Sequence, residues 1–257
     1  VSDLFDIDGK RALITGGSRG IGLMIARGFV EAGAKVTVSS RKAEVCDAVA
    51  AELSAVGECR SMPADLSTEA ECRRLAEQVS EAEGGQLDIL VNNAGATWGA
   101  PMDDFDDAAW DRVLDLNVKG VFHLTRFLRD ALAAAATPDD PSRVINIGSI
   151  DGLHVSALET YSYSASKAAV HHLTRVLAAH LAPDLITVNA IAPGPFESKM
   201  MEATLETFGE EIRRSVPLGR IGEPTDMAGT AIFLSSRAGR YLTGAVIPVD
   251  GGLSTTI

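Results

Sequence analysis

Apolar positions along the chain alternate between two regimes. Short runs rich in β-branched residues, at 12–15, 35–39, 59–62, 89–92, 144–147, 187–191 and 246–249, are separated by longer stretches with apolar residues every three or four positions, as at 21–31, 68–82, 108–134 and 164–181. Short apolar runs without polar alternation are those of strands buried on both faces, and the longer period is that of amphipathic helices. The pattern predicts an α/β fold: one doubly wound, seven-stranded parallel sheet with helices on both faces. No linker-like composition divides residues 1–257, so a single domain is expected.

Two stretches break the pattern. Residues 137–143 hold two prolines and two aspartates just before a strand and read as a surface loop. Residues 193–217 follow a strand with Pro193, Gly194 and Pro195 and then a charged, Met-containing segment. It is either a substrate lid or an ordinary surface excursion.

Composition narrows the function classes. The chain is 46% hydrophobic and 23% charged, which excludes a disordered protein, and its 35 acidic against 23 basic residues give a net charge of -12. Such a field repels phosphodiester backbones and anionic lipid, so neither nucleic acid nor membrane is an expected partner. Cys46, Cys59 and Cys72 are odd in number and widely spaced, with no metal-binding pattern; they read as reduced thiols, and no metal is expected. With no apolar run approaching about 20 residues and no leader-like start, the expected location is cytoplasmic.

The first strand runs into Gly16, Gly17, Ser18, Arg19, Gly20, Ile21 and Gly22 and then into a helix. Glycines there permit a tight turn and bring backbone N–H groups and a helix N-terminus up to a pyrophosphate, the Rossmann-type arrangement. At the end of the second strand, where an acidic residue would bind a ribose 2′-hydroxyl, the chain has Ser40, Arg41 and Lys42. Arg41 can pair with a 2′-phosphate, Ser40 can donate to it, and Arg19 can close from the other side, so NADP(H) is expected over NAD(H).

Tyr163 and Lys167 stand four residues apart on one helical face, whereas Tyr161 has alanine at that interval. A nearby ammonium is expected to stabilise the phenolate and bring a tyrosine towards the working range of an acid-base group. Ser149 directly follows the fifth strand and Gly148, placed to hold a carbonyl oxygen beside the phenol.

With these residues the chain resembles the short-chain dehydrogenase/reductase family over essentially its whole length. The likeness rests on the glycine turn, Asp65 and Leu66 after the third strand, 92–95 (Asn-Asn-Ala-Gly) after the fourth, Asn117, Ser149, Tyr163, Lys167, Pro193, Gly194, and the Thr243-Gly244 and Asp250-Gly251-Gly252 signals. The resemblance implies that Tyr163 is the general acid, that Ser149 polarises the carbonyl, that Lys167 bonds the nicotinamide ribose, and that Asn117 kinks its helix and anchors a water. It further implies cofactor contacts from Asp65, Leu66, Asn93, Ala94, Gly95, Pro193, Gly194 and Phe196. Ser198 stands where the family usually has the threonine that binds the carboxamide.

Within the family, 94–99 and 194–198 resemble NADPH-dependent β-ketoacyl (3-oxoacyl) reductases, nearest the rhamnolipid-biosynthesis type. That implies a ketone substrate, first a 3-oxoacyl thioester. A sugar, polyol, steroid or other secondary alcohol oxidised with NADP stays open, as does a non-catalytic NADP-binding regulator. Docking of acyl carrier protein is doubted, because 133–140 and 182–184, where carrier-dependent reductases are basic, read alanine, proline and aspartate. Trp98, Asp151, His154, Tyr161, Phe196, Met200 and Met201 are candidates to face the substrate, or else belong to the loops' own packing. A homotetramer is expected from the resemblance.

Overall fold

The computed structural model describes residues 2–156, 158–197 and 201–256, with backbone alone for 2 and 202–206. Its strands are β1 Arg11–Thr15, β2 Lys35–Ser39, β3 Cys59–Ser61, β4 Ile89–Asn92, β5 Ser142–Ile147, β6 Ile186–Pro193 and β7 Val246–Val249. They pair in parallel in the order β3-β2-β1-β4-β5-β6-β7, so every strand foreseen from the apolar runs is present. The order reverses between β1 and β4, which opens a crevice at the carboxyl ends of those two strands, where ligands bind doubly wound sheets.

Helices α1 Gly20–Glu31, α2 Ala43–Leu53 and α8 Pro224–Ser235 cover one face, burying Ile14, Ile25, Phe29, Val38, Leu53 and Met227. On the other lie α3 Glu69–Ala82, α5 Val121–Ala135 and α6 Tyr161–Leu181, burying Leu13, Leu75, Leu90, Leu124, Val144 and Leu177. Thr68 caps α3, its hydroxyl accepting from Glu71 N at 3.3 Å. Residues 136–141 form the expected loop, and Arg143 behind it is fully buried, its guanidinium donating to Leu234 O, Ser236 O and Asp140 Oδ1 at 3.0–3.1 Å.

The helix expected over 108–134 is instead α4 Asp107–Leu114, a π-helical turn over Asp115–Gly120, and α5. Apolar periodicity runs through the turn, so nothing in the pattern marks the extra residue. Close packing is its physical setting: a Cβ on Gly120 would stand 2.7 Å from Leu66 O. Within 193–217 the chain makes α7 Glu202–Ser215, most of whose described side chains are exposed, and closes back onto the core where Gly222 N donates to Pro195 O at 2.9 Å.

Candidate active site

The glycine turn is built against the end of β4. Thr15, at the end of β1, accepts on Oγ1 from Asn93 N at 2.9 Å and Ala94 N at 3.0 Å, while Asn93 Nδ2 donates to Thr15 O at 2.8 Å. Gly16 and Gly20 adopt φ of +63° and +52°, and a Cβ on Gly22 would collide with Asn93 Nδ2 and Gly16 O, so only glycine fits that close approach. Side chains at 16 and 22 would push the turn away from the loop after β4 and spoil the backbone approach that a dinucleotide's pyrophosphate needs.

Arg19, Arg41 and Lys42 stand exposed around this turn, and their side chains make no ion pair or hydrogen bond among the described residues. In a chain of net charge -12, unpaired cations gathered at the ends of β1 and β2 suit an anion such as a 2′-phosphate. The residues present therefore fit NADP(H). Ser40 departs from expectation: its hydroxyl oxygen is buried beside Cys46, so it is not presented to a phosphate. Asp65 and Leu66 lie where β3 leads into α3, with Asp65 Oδ1 accepting from Ser67 N at 3.2 Å.

Three elements bring the four catalytic candidates together: the turn after β5, α6 and the π-helical turn. Ser149 lies two residues beyond the end of β5 and caps the turn Ile150–Gly152, accepting on Oγ from Asp151 N at 3.2 Å. Tyr163 and Lys167 lie one turn apart on α6, which begins at Tyr161, earlier than the periodicity suggests. Lys167 is buried, donates to Ile147 O at 2.8 Å, and sets its Nζ 5.5 Å from the centre of the Tyr163 ring. Asn117, in the π-helical turn, accepts from Ala96 N at 2.8 Å and donates to Ala96 O and Ser166 Oγ, both at 2.9 Å. It thereby ties the loop after β4 to the catalytic helix. A Cβ on Gly95 would stand 3.3 Å from Asn117 Oδ1 and 3.8 Å from Lys167 Nζ, so the groups converge on one spot.

The electrostatics correct one expectation. Burial pushes the Tyr163 phenol up to about 12; the Ser149 hydrogen bond pulls against it and the Asp151 charge adds to it. Burial also holds Lys167 down to about 8. Desolvation is the largest influence on both groups, and it favours the neutral phenol.

The remaining candidates fall in different places. Phe196 is buried with its ring against Gly222, so its side chain packs in the core and does not line the cofactor crevice. Gly194 lies on Asp250, where a Cβ would stand 2.8 Å from the Asp250 Cα. Tyr161 packs edge-on against Phe105 at 5.3 Å and donates to Glu159 at 3.3 Å, a wall residue. Trp98 is partly exposed under the Arg112 guanidinium, 5.3 Å from its ring centre. His154 is exposed, with Nδ1 2.9 Å from Val155 O. Asp151 is half-buried beside Tyr163 and Lys167. Ser198 and Met200 lie outside the described residues.

Two features went unread in the sequence. His171, one turn beyond Lys167, is 3% exposed and sits between Gly148 and Gly152, which flank Ser149; its helical interval was the available signal. A buried polar row across the sheet joins Asn92 to Thr125 and Asn146, and Asn146 to Thr174, at 2.9–3.1 Å. Strand register pairs the two asparagines, and the packing of α5 and α6 on the sheet brings the threonines to them.

Fold and site together are those of a dinucleotide-binding oxidoreductase. The family model described as enoyl-(acyl carrier protein) reductase matches residues 16–254. The rhamnolipids biosynthesis 3-oxoacyl-[acyl-carrier-protein] reductase of Pseudomonas aeruginosa is 48% identical over 96% of this chain and 97% of its own length. Galactitol 2-dehydrogenase (L-tagatose-forming) of Cereibacter sphaeroides is 40% identical over 97% of this chain and 96% of its own. The solved Pseudomonas aeruginosa RhlG/NADP active-site complex superposes with a TM-score of 0.94 at 47% identity, over 98% of this chain and 99% of that one. The chain belongs to the short-chain dehydrogenase/reductase family of oxidoreductases.

Proposed function

We propose that the chain, as one domain over 1–257 with 193–217 as its substrate lid, reduces the ketone of 3-oxoacyl thioesters with NADPH. The observation that carries this reading is the convergence of Ser149, Tyr163 and Lys167 at the carboxyl edge of the sheet, with Asn117 tying the loop after β4 to α6. The Pseudomonas aeruginosa relative supports the substrate class, and the RhlG/NADP complex supports the cofactor.

Bound NADPH supplies a hydride to the carbonyl carbon. Ser149 holds the carbonyl oxygen by a hydrogen bond, and Tyr163 delivers its proton there, so ketone plus hydride plus proton gives the alcohol. Lys167, fixed on Ile147 O, keeps positive charge beside the ring as the phenolate forms. Asn117 keeps the loop after β4 in register with α6. The glycine turn, Arg19 and Arg41 hold the dinucleotide.

Carrier protein is not the expected donor. Asp140 and Asp184 stand at the ends leading from α5 and α6, the former paired with Lys10 at 2.5 Å and the latter with Arg129 at 2.6 Å. A strongly acidic partner finds little attraction there, so coenzyme A-linked or free thioesters fit better. The galactitol relative favours a second reading, NADP-linked oxidation of a polyol. Following NADPH absorbance over a panel of 3-oxoacyl thioesters, carrier-linked and not, alongside sugar ketones separates them. Turnover confined to sugar ketones would overturn the thioester reading.

Assembly into a tetramer is part of the proposal. On α6, Ala165, Ala168, His172, Val176 and Ala179 form an exposed stripe of mostly small residues, as helix-to-helix contact between copies requires. Three free thiols and dependence on NADPH fit a cytoplasmic location.

A further inference from the structure

One carboxylate at the site has no partner. Asp151 is the middle residue of the turn Ile150–Gly152, held to the catalytic serine through its own N–H. The turn lies on α6 at the catalytic lysine, where a Cβ on Gly152 would stand 2.7 Å from the Lys167 carbonyl carbon. The Asp151 carboxylate is half-buried and makes no hydrogen bond or ion pair among the described residues. Charged and titratable groups face it from two elements: the Tyr163 phenol and Lys167 ammonium from α6, and His154 from its own loop, with Asp250 beyond His154. Burial raises its pKa, the mark of a carboxylate that water does not fully solvate.

A half-buried carboxylate without a donor is a costly arrangement that acts on whatever shares the crevice. A ketone oxygen held by Ser149 and Tyr163 puts the substrate's next functional group close by. In a 3-oxo compound the carbon of the acid or thioester lies two single bonds from the ketone carbon, about 2.5 Å away. As the free acid it would carry a full negative charge there; as a thioester, none.

We propose that Asp151 sorts 3-oxo substrates by charge, admitting the neutral thioester and turning away the free 3-oxo acid. The inference rests on the 3-oxoacyl reading above and adds a repulsive element to it, the second half of specificity. Such a filter stops NADPH from being spent on acids that hydrolysis of the thioester releases.

The test compares kcat/KM for acetoacetate with that for the neutral thioester acetoacetyl-N-acetylcysteamine in the full chain with NADPH. Wild type should favour the thioester by more than about tenfold. Asp151→Asn should raise the acid-to-thioester ratio by about 10- to 100-fold, Asp151→Ser should do the same, and Asp151→Glu, which keeps the charge, should retain the discrimination. A variant that merely loosened the Ser149 turn would lower both rates and leave the ratio where it was. Equal use of acid and thioester by wild type, or an unmoved ratio in both neutral variants, overturns the charge filter while the thioester reading stands. Reduction of neither compound by wild type that binds NADPH overturns that reading, and the filter with it.

Discussion

At the scale of single residues, burial decides the chemistry. Tyr163 is pushed up to about 12 and Lys167 down to about 8, both first by desolvation, so a phenol reluctant to ionise stands beside a cation that burial discourages. Removing the phenolic proton should stop reduction without emptying the cofactor site: Tyr163→Phe is expected to lose about 10²- to 10⁴-fold in kcat, the worth of a general acid. NADPH affinity, read by fluorescence titration, should stay within a few-fold. A variant that bound NADPH and kept its rate would displace Tyr163 from the acid's role.

His171 makes a different prediction. Burial holds its imidazole down to about 4, against a weaker opposing pull from the Gly152 backbone. The unfolded chain, with an ordinary histidine near 6.5, takes up a proton that the folded chain refuses. Stability is therefore whole above about pH 6.5 and is lost as pH falls towards the folded value, by about 3 kcal/mol at the limit. Thermal melts of His171→Gln should fall less steeply than wild type between about pH 6.5 and about pH 4.5. Identical slopes would mean that this ring is not what acid attacks.

At the scale of elements, the site hangs on a defect in a helix. The π-helical turn Asp115–Gly120 aims Asn117 at Ala96 and Ser166, and so joins the loop after β4 to the helix of Tyr163 and Lys167. Single-turn π-bulges of this kind recur at functional sites. Asn117→Ala deletes three hydrogen bonds and orphans the Ala96 amide, an expected loss of about 2–4 kcal/mol. The urea midpoint should drop and kcat should fall with it; an unshifted midpoint would show that α4 and α5 hold the loop without the asparagine.

At the scale of the whole molecule, charge is distributed against the chain's own excess. Most arginines are paired with carboxylates, including Arg11 with Asp88 at 2.7 Å and Arg220 with Asp226 at 2.6 Å, while Arg19, Arg41 and Lys42 have no partner among the described residues around the glycine turn. Unpaired cations in an anionic protein are the ones a phosphate can use. Arg41→Ala should weaken NADPH by about 10- to 100-fold, the worth of a charge-assisted contact, and leave NADH nearly unmoved. Equal loss for both coenzymes in calorimetry would assign Arg41 to the fold and remove it from the 2′-phosphate site.

Legibility followed the range of the interactions involved. Seven strands, the glycine turn, the pairing of Tyr163 with Lys167 and the serine after a strand end could be read from the sequence, because each is set by local periodicity, backbone freedom or helical spacing. Residues that depend on distant partners could not. Phe196 went to the core under Gly222, Ser40 turned towards Cys46, and His171 was drawn between two glycines. The direction of the tyrosine's shift also belonged to the tertiary structure: spacing placed a cation near the phenol, but only burial set how much water either group kept. What the chain by itself determined was which groups could meet. Desolvation and register, which exist only once the sheet is assembled, decided their protonation and their partners.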